Sequence, residues 1–393
     1  MRNLMLLLVC QTVTTLGLMV FVPIMPLYIA MLTQVDAANV AHWSSLALAA
    51  PALGTLCFAS YVGKWCDRFG YRRLLLISLI VFVASMLLMA VSSSIYGFIL
   101  GRLLQGISSI GVVLTAFIGY ISEDTTRGHS LGLQESAIAC GSLAGPVLGG
   151  VMLDYWSLKP LLISSAVLTG FAGYFLWSRL DEPKKMIPVS GALFSGLHTV
   201  LAHNTLRNWM LAACLVQAAA FAFIAAFPFY IATSLPATDA LASKIGLLHA
   251  LGWFAAMIAS PLWGRLNDNG EPRYCFALAA LGCTLSIGLL TVVDQTWIIA
   301  LLRIVQGACY AALVQSVLLT CSRQLPIAVY GHVTGLSRSF MVIGQLLGPL
   351  IIILLLPLLS PVNLLLPVAV LFLAASLIVY GGGQSMPVSR LQN

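Results

Sequence analysis

Charge is scarce in this chain. Asp, Glu, Lys and Arg together make up 8% of its 393 residues, against roughly a quarter in ordinary soluble domains. With 60% of its residues hydrophobic, it has too little polar surface to face water on every side. That excludes a soluble enzyme or binding domain and makes the lipid bilayer a partner. Other chemistry is missing as well. The nine cysteines include no CxxC pair, so neither a disulfide framework nor a thiolate metal site is expected, and no His/Cys/Asp cluster has metal spacing. No Walker lysine loop is present, so ATP is not the direct energy source and no cofactor is implied. No clustered basic face suits nucleic acid. The first apolar run is too long for the core of a cleavable leader and no A-x-A site follows it.

Long apolar runs are abundant. A membrane-crossing helix needs about 20 apolar residues, and twelve such runs are expected, at 4–31, 42–62, 74–92, 95–118, 130–153, 159–178, 207–233, 245–264, 274–293, 296–319, 332–357 and 362–381. Of the nineteen Lys and Arg residues, fourteen fall on the N-terminal side of the membrane so defined, two (Lys159 and Lys244) on the other side and three (Arg102, Arg303 and Arg338) within spans. The positive-inside rule then places both termini in the cytoplasm. The net charge of +7 is a signal of topology.

The chain repeats itself. Asp67 in VGKWCD corresponds to Asp268 in WGRLND, and Arg102 in GRLLQG to Arg303 in LRIVQG, each pair 201 residues apart. PLYIA from Pro26 returns as PFYIA from Pro228, 202 residues on, and Pro146 returns as Pro349 after 203. A register held across separate helices marks a duplication. The expected organisation is a six-helix bundle over 1–180, a cytoplasmic interdomain loop over 181–206, and a second six-helix bundle over 207–393.

One repeated phrase changes sign. GHSLGLQES ends in Glu135-Ser136, whereas GHVTGLSRS ends in Arg338-Ser339. Each charged residue lies eleven positions before its Gly-Pro, so the two occupy equivalent places, and Glu135 is the one acid well inside a run. Charges at membrane depth are costly and mark functional positions. Arg102 and Arg303 are the other charges at such depth, read either as structural groups bonding neighbouring carbonyls or as cavity residues. Gln11, Gln105, Gln134, Gln217 and Gln306 are polar candidates for the same cavity, with interhelical hydrogen bonding as the plainer reading of most of them.

Three motifs carry a family resemblance. GKWCDRFGYRR, with Gly63, Asp67, Arg68, Gly70 and Arg72, resembles the loop signature after the second span of the major facilitator superfamily, although Tyr71 stands where a base is usual. RLLQG from Arg102 resembles the signature of the fourth span. GSLAGPVLGG, with Gly141, Gly145, Pro146, Gly149 and Gly150, resembles the fifth-span signature of its twelve-span drug:proton antiporters. The resemblance implies an all-α membrane protein whose substrate site lies between two pseudo-symmetric halves. It also implies that Asp67 is a gating acid and that Glu135 and Arg338 face one another across the cavity. Glu123 is a candidate partner for Arg72.

In a proton-coupled carrier, desolvation favours a protonated carboxyl and a facing guanidinium favours the carboxylate. Glu135, with Arg338 and Arg102, is accordingly the expected coupling group, and a static interdomain salt bridge is the competing reading. The expected function is export of a small molecule by a plasma-membrane (inner-membrane) carrier, a monomer exchanging substrate for protons. Alternatives are export of an anionic metabolite such as a carboxylate siderophore, and proton-coupled import of a sugar or organic acid. An embedded enzyme would need paired carboxylates or a nucleophile–base set, and Glu135 alone does not form one.

Overall fold

In lipid, backbone N–H and C=O groups have no water to bond, so apolar runs must satisfy them within helices. The computed structural model, which describes residues 2–33, 37–122, 127–180, 203–234, 240–324 and 327–382, is helical there apart from short connections such as 92–94, 291–295 and 356–364. The helices are α1 (Arg2–Met19), α2 (Met25–Thr33), α3 (Ala37–Phe69), α4 (Tyr71–Val91), α5 (Ile95–Ile107), α6 (Ile110–Ile121), α7 (Arg127–Tyr155) and α8 (Leu158–Arg179). They continue with α9 (Asn204–Ser234), α10 (Leu241–Asn269), α11 (Pro272–Leu290), α12 (Thr296–Gln324), α13 (Ile327–Leu355) and α14 (Leu365–Gly381).

Ten segments among the described residues are long and apolar enough to cross a membrane, and two shorter apolar helices, Ser339–Leu355 and Leu365–Gly381, fall on the last two expected runs. Two of the expected runs are interrupted. The first has a single 3-10 turn at Val22–Ile24, where Pro23 leaves an N–H missing, between α1 and α2. The fourth breaks at Ser108–Ser109 into α5 and α6, and Ser109 takes a left-handed conformation with φ 46°. Its counterpart in the repeat, α12, runs unbroken.

The chain packs as two compact units: Met1–Val189 with Pro236–Trp253, and Ser190–Leu235 with Phe254–Asn393. The first half of α10 thus packs with the helices of the N-terminal unit. There α7 lies along α1, α5 along α3, and α8 along α4. Phe21, Tyr28 and Phe98 interlock at its core, the Phe21 and Phe98 rings 5.4 Å apart and edge to face. In the second unit α13 lies along α9, and α12 and α14 flank α11. Trp209 meets Phe276 with ring centroids 5.3 Å apart, and the buried Tyr230 hydroxyl donates to Val293 O at 2.9 Å. The expected interdomain loop over 181–206 lies mostly outside the described residues.

Candidate functional site

Small residues decide how close two helices come in lipid, because no hydrophobic force draws them together there. Gly141, Gly145 and Gly149 fall four residues apart, which keeps them on one face of α7. That face lies on the backbone of α1 and of Val20, which follows it. A Cβ at Gly141 would stand 2.6 Å from Thr12 O, one at Gly145 would stand 3.0 Å from Leu16 O, and one at Gly149 would overlap Val20 O. Only glycine permits this contact, so the motif's spacing sets the approach of α7 to α1. Gly150 turns to another side and meets Ala242 O of α10.

The second unit builds the same joint. Gly344 and Gly348 on α13 abut Cys214 O and Ala218 O of α9, and Gln217 packs against Gly344. They follow Gly141 and Gly145 by 203 residues, and Cys214 and Ala218 follow Thr12 and Leu16 by 202. Neither glycine of this pair is among the expected site residues. Its signal is legible: GQLLGP repeats GSLAGP at the same offset as Pro146 and Pro349.

A polar cluster sits beside the first joint. Gln134 on α7 donates through Nε2 to Gln11 Oε1 at 3.0 Å and to Thr115 Oγ1 of α6 at 2.8 Å. Gln11 donates in turn to Thr15 Oγ1 at 2.9 Å. Thr12 Oγ1 adds a bond to Ala137 O at 3.3 Å. Gln11 and Gln134 are both buried. Thr115 lies on α6, beyond the break at Ser109, and no motif announced Thr12 or Thr115. Glu135 follows directly on α7 and is half-buried. One residue is 100° of helix, so it leaves Gln134 to face α1 and α6 and points elsewhere.

The two buried arginines occupy matching settings. Arg102 Nε donates to Ala47 O at 3.1 Å and its Nη1 to Gln105 Oε1. Arg303 Nη1 donates to Gln306 Oε1 one turn along α12, and its guanidinium lies 4.7 Å from the ring of Phe223 and 5.2 Å from that of Phe227. They are 2% and 3% exposed. Each Arg therefore has its Gln partner at i+3, which joins Arg102 to Gln105 and Arg303 to Gln306 but leaves both pairs on helices other than α7.

At the loop motif, Gly70 holds φ 92° between α3 and α4, a conformation that side chains disfavour. Arg72 donates from Nη2 to Trp177 O, joining α4 to the end of α8. Of Gly63, Asp67, Arg68 and Arg338 only the helical backbone is described, and Glu123 lies outside the described residues.

The Major Facilitator Superfamily model matches residues 7–241 and 209–383. This chain belongs to the major facilitator superfamily. It is 31% identical over 360 residues to the Staphyloferrin B transporter of Staphylococcus aureus (strain NCTC 8325 / PS 47), a match covering 88% of this chain and 85% of that protein. It is 25% identical over 346 residues to the multidrug resistance protein MdtG of Proteus mirabilis (strain HI4320), covering 86% and 85%. Among solved structures, an auto-inhibited POT family peptide transporter superposes with a TM-score of 0.78 at 14% identity over 98% of both chains. A bacterial homologue of the human lysosomal transporter Spinster, inward-facing and unoccupied, gives 0.73 at 12% identity over 97% and 96%. These two likenesses bear on the fold alone. The superfamily's members are transporters and not enzymes, so this chain is a multi-pass transporter of small molecules in the cell's inner (plasma) membrane.

Proposed function

We propose that this transporter has twelve spans and cytoplasmic termini, and that it exports its substrate by alternating access in exchange for protons. Glu135 carries the proton, and Arg338, its equivalent in the repeat, supplies the counter-charge. The observation that carries this reading is the place of Glu135: a half-buried acid inside an apolar run, next in sequence to the buried Gln134, on the helix that bears the Gly-Pro joint. Gln134 and its partners are amides and hydroxyls without a proton to exchange, whereas Glu135 on the same turn of α7 has one.

A siderophore is a second substrate reading, alongside drugs, and the 31% identity to the Staphyloferrin B transporter favours it. Everted vesicles loaded acid inside test both. Adding staphyloferrin B or ethidium is expected to release protons from vesicles carrying the parent chain. Glu135→Gln is expected to abolish that release, and Arg338→Ala to weaken it. Release unchanged in Glu135→Gln removes the acid from the mechanism. Probe and protons moving in the same direction replace exchange with symport.

A further inference from the structure

The glycine contact between α7 and α10 is closed at its end by a carboxylate. A Cβ at Gly150 would come within 2.5 Å of Ala242 O and 2.9 Å of the Cα of Ser243, and one at Gly246 would overlap Pro146 O. One turn beyond Gly150, Asp154 meets the start of α10. Its Oδ1 accepts the N–H of Ala242 at 3.1 Å and its Oδ2 accepts the N–H of Ser243 at 2.6 Å.

The first N–H groups of a helix have no acceptor within it. They are ordinarily capped by the residue just before the helix, and here that residue, Ala240, has no side-chain oxygen. The cap comes instead from a residue 88 positions away in sequence. A carboxylate is favoured at this site by the helix dipole and by two charge-assisted bonds. The glycines set how near the helices lie. Asp154 sets their register, because both oxygens must meet two consecutive N–H groups.

We propose that Asp154 is a latch: its carboxylate holds the Leu241 end of α10 against the Tyr155 end of α7, and the transporter opens at that end by releasing these two bonds. Water can take up the freed carboxylate and N–H groups, so the latch can open and re-form through repeated cycles. Asp154 is a positioning residue and touches no substrate. The latch rests on the alternating-access reading for its role, and its test needs neither substrate nor a proton gradient.

The test measures the distance between nitroxides at Trp156→Cys and Leu247→Cys in the full chain, reconstituted in lipid nanodiscs with the nine native cysteines replaced. Trp156 is 75% exposed and Leu247 55%, so both accept a label. The parent is expected to give one short distance. Asp154→Ala is expected to raise the ratio of a second, longer distance to the short one by about five- to tenfold, the effect of losing a helix cap. Asp154→Asn, which keeps the volume and one acceptor, should raise it less, and it carries the test if the alanine variant does not fold. Distance distributions in the variants that match the parent's overturn the latch. An unchanged distribution leaves proton exchange through Glu135 standing, and a failed exchange assay leaves this distance measurement standing.

Discussion

Gln134 ties α7 to α1 through Gln11, donating from Nε2 at 3.0 Å, and the same nitrogen reaches Thr115 of α6 at 2.8 Å. One side chain thus fixes three helices around the position that precedes Glu135. Gln134→Leu keeps most of the volume and removes both bonds, leaving Gln11 and Thr115 without this donor. The expected loss is about 1–3 kcal/mol, seen as a lower thermal midpoint of the solubilised protein. Gln134→Glu restores the acceptor side of the group but not the donor and should not rescue the midpoint.

The glycine joints predict a contrast between positions. Gly145→Leu must displace Leu16 O and Met19 on α1, and Gly348→Leu must displace Ala218 O on α9. Main chain cannot yield as a side-chain tip does, so both variants are expected to lose folded, monodisperse protein in size-exclusion chromatography. Gly170 on α8 has nothing within 4 Å of an added Cβ. Gly170→Ala should raise the thermal midpoint, since alanine in a helix interior is favoured over glycine by about 1 kcal/mol.

Arg303 lies over Phe223 and Phe227 and bonds Gln306. Arg303→Lys keeps the charge and loses the flat, forked group that both stacks and donates. A lysine ammonium can still face one ring but cannot lie flat over both, so part of a desolvated cation–π contact of about 2 kcal/mol is lost and the lysine variant should unfold at a lower temperature. Arg102 bonds Ala47 O and Gln105 without an aromatic partner in these contacts. Arg102→Lys should therefore cost less than Arg303→Lys in the same assay.

Ser109 separates α5 from α6 at φ 46°, while its hydroxyl donates to Gly106 O at 3.2 Å. A β-branched residue fits that backbone poorly. Ser109→Val should destabilise by about 1–3 kcal/mol. Ser109→Gly relieves the strain but loses the hydrogen bond, and the two effects should nearly cancel in thermal unfolding.

Much of the fold is legible in the sequence. The Gly-Pro signature named Gly141, Gly145 and Gly149, and the structure puts the first two against α1 and the third against Val20 just past its end. The buried arginines were also visible, since a charge inside an apolar run stands out. Their Gln partners were less so. Gln105 and Gln306 appeared as cavity polar groups, and the i, i+3 spacing that binds them to Arg102 and Arg303 is the geometry of one helical turn. Gly344 and Gly348 were missed although the repeat announces them. Thr12, Thr115 and Asp154 could not be found that way, because a threonine within a span can bond its own helix's carbonyls and an aspartate near a span end can face water.

Composition, the apolar runs and the 201–203 residue offsets by themselves determined the class of this protein: a duplicated helical bundle whose solvent is lipid. Those features follow from backbone hydrogen bonding and transfer from water, which act on each segment separately. Which helix meets which, where the fourth run breaks, and what caps α10 were decided by tertiary structure. Lipid tails are as apolar as leucine, so hydrophobicity cannot tell a helix-facing side from a lipid-facing one. Only the fit of glycine against a neighbouring carbonyl, and of a donor against its acceptor, makes that choice.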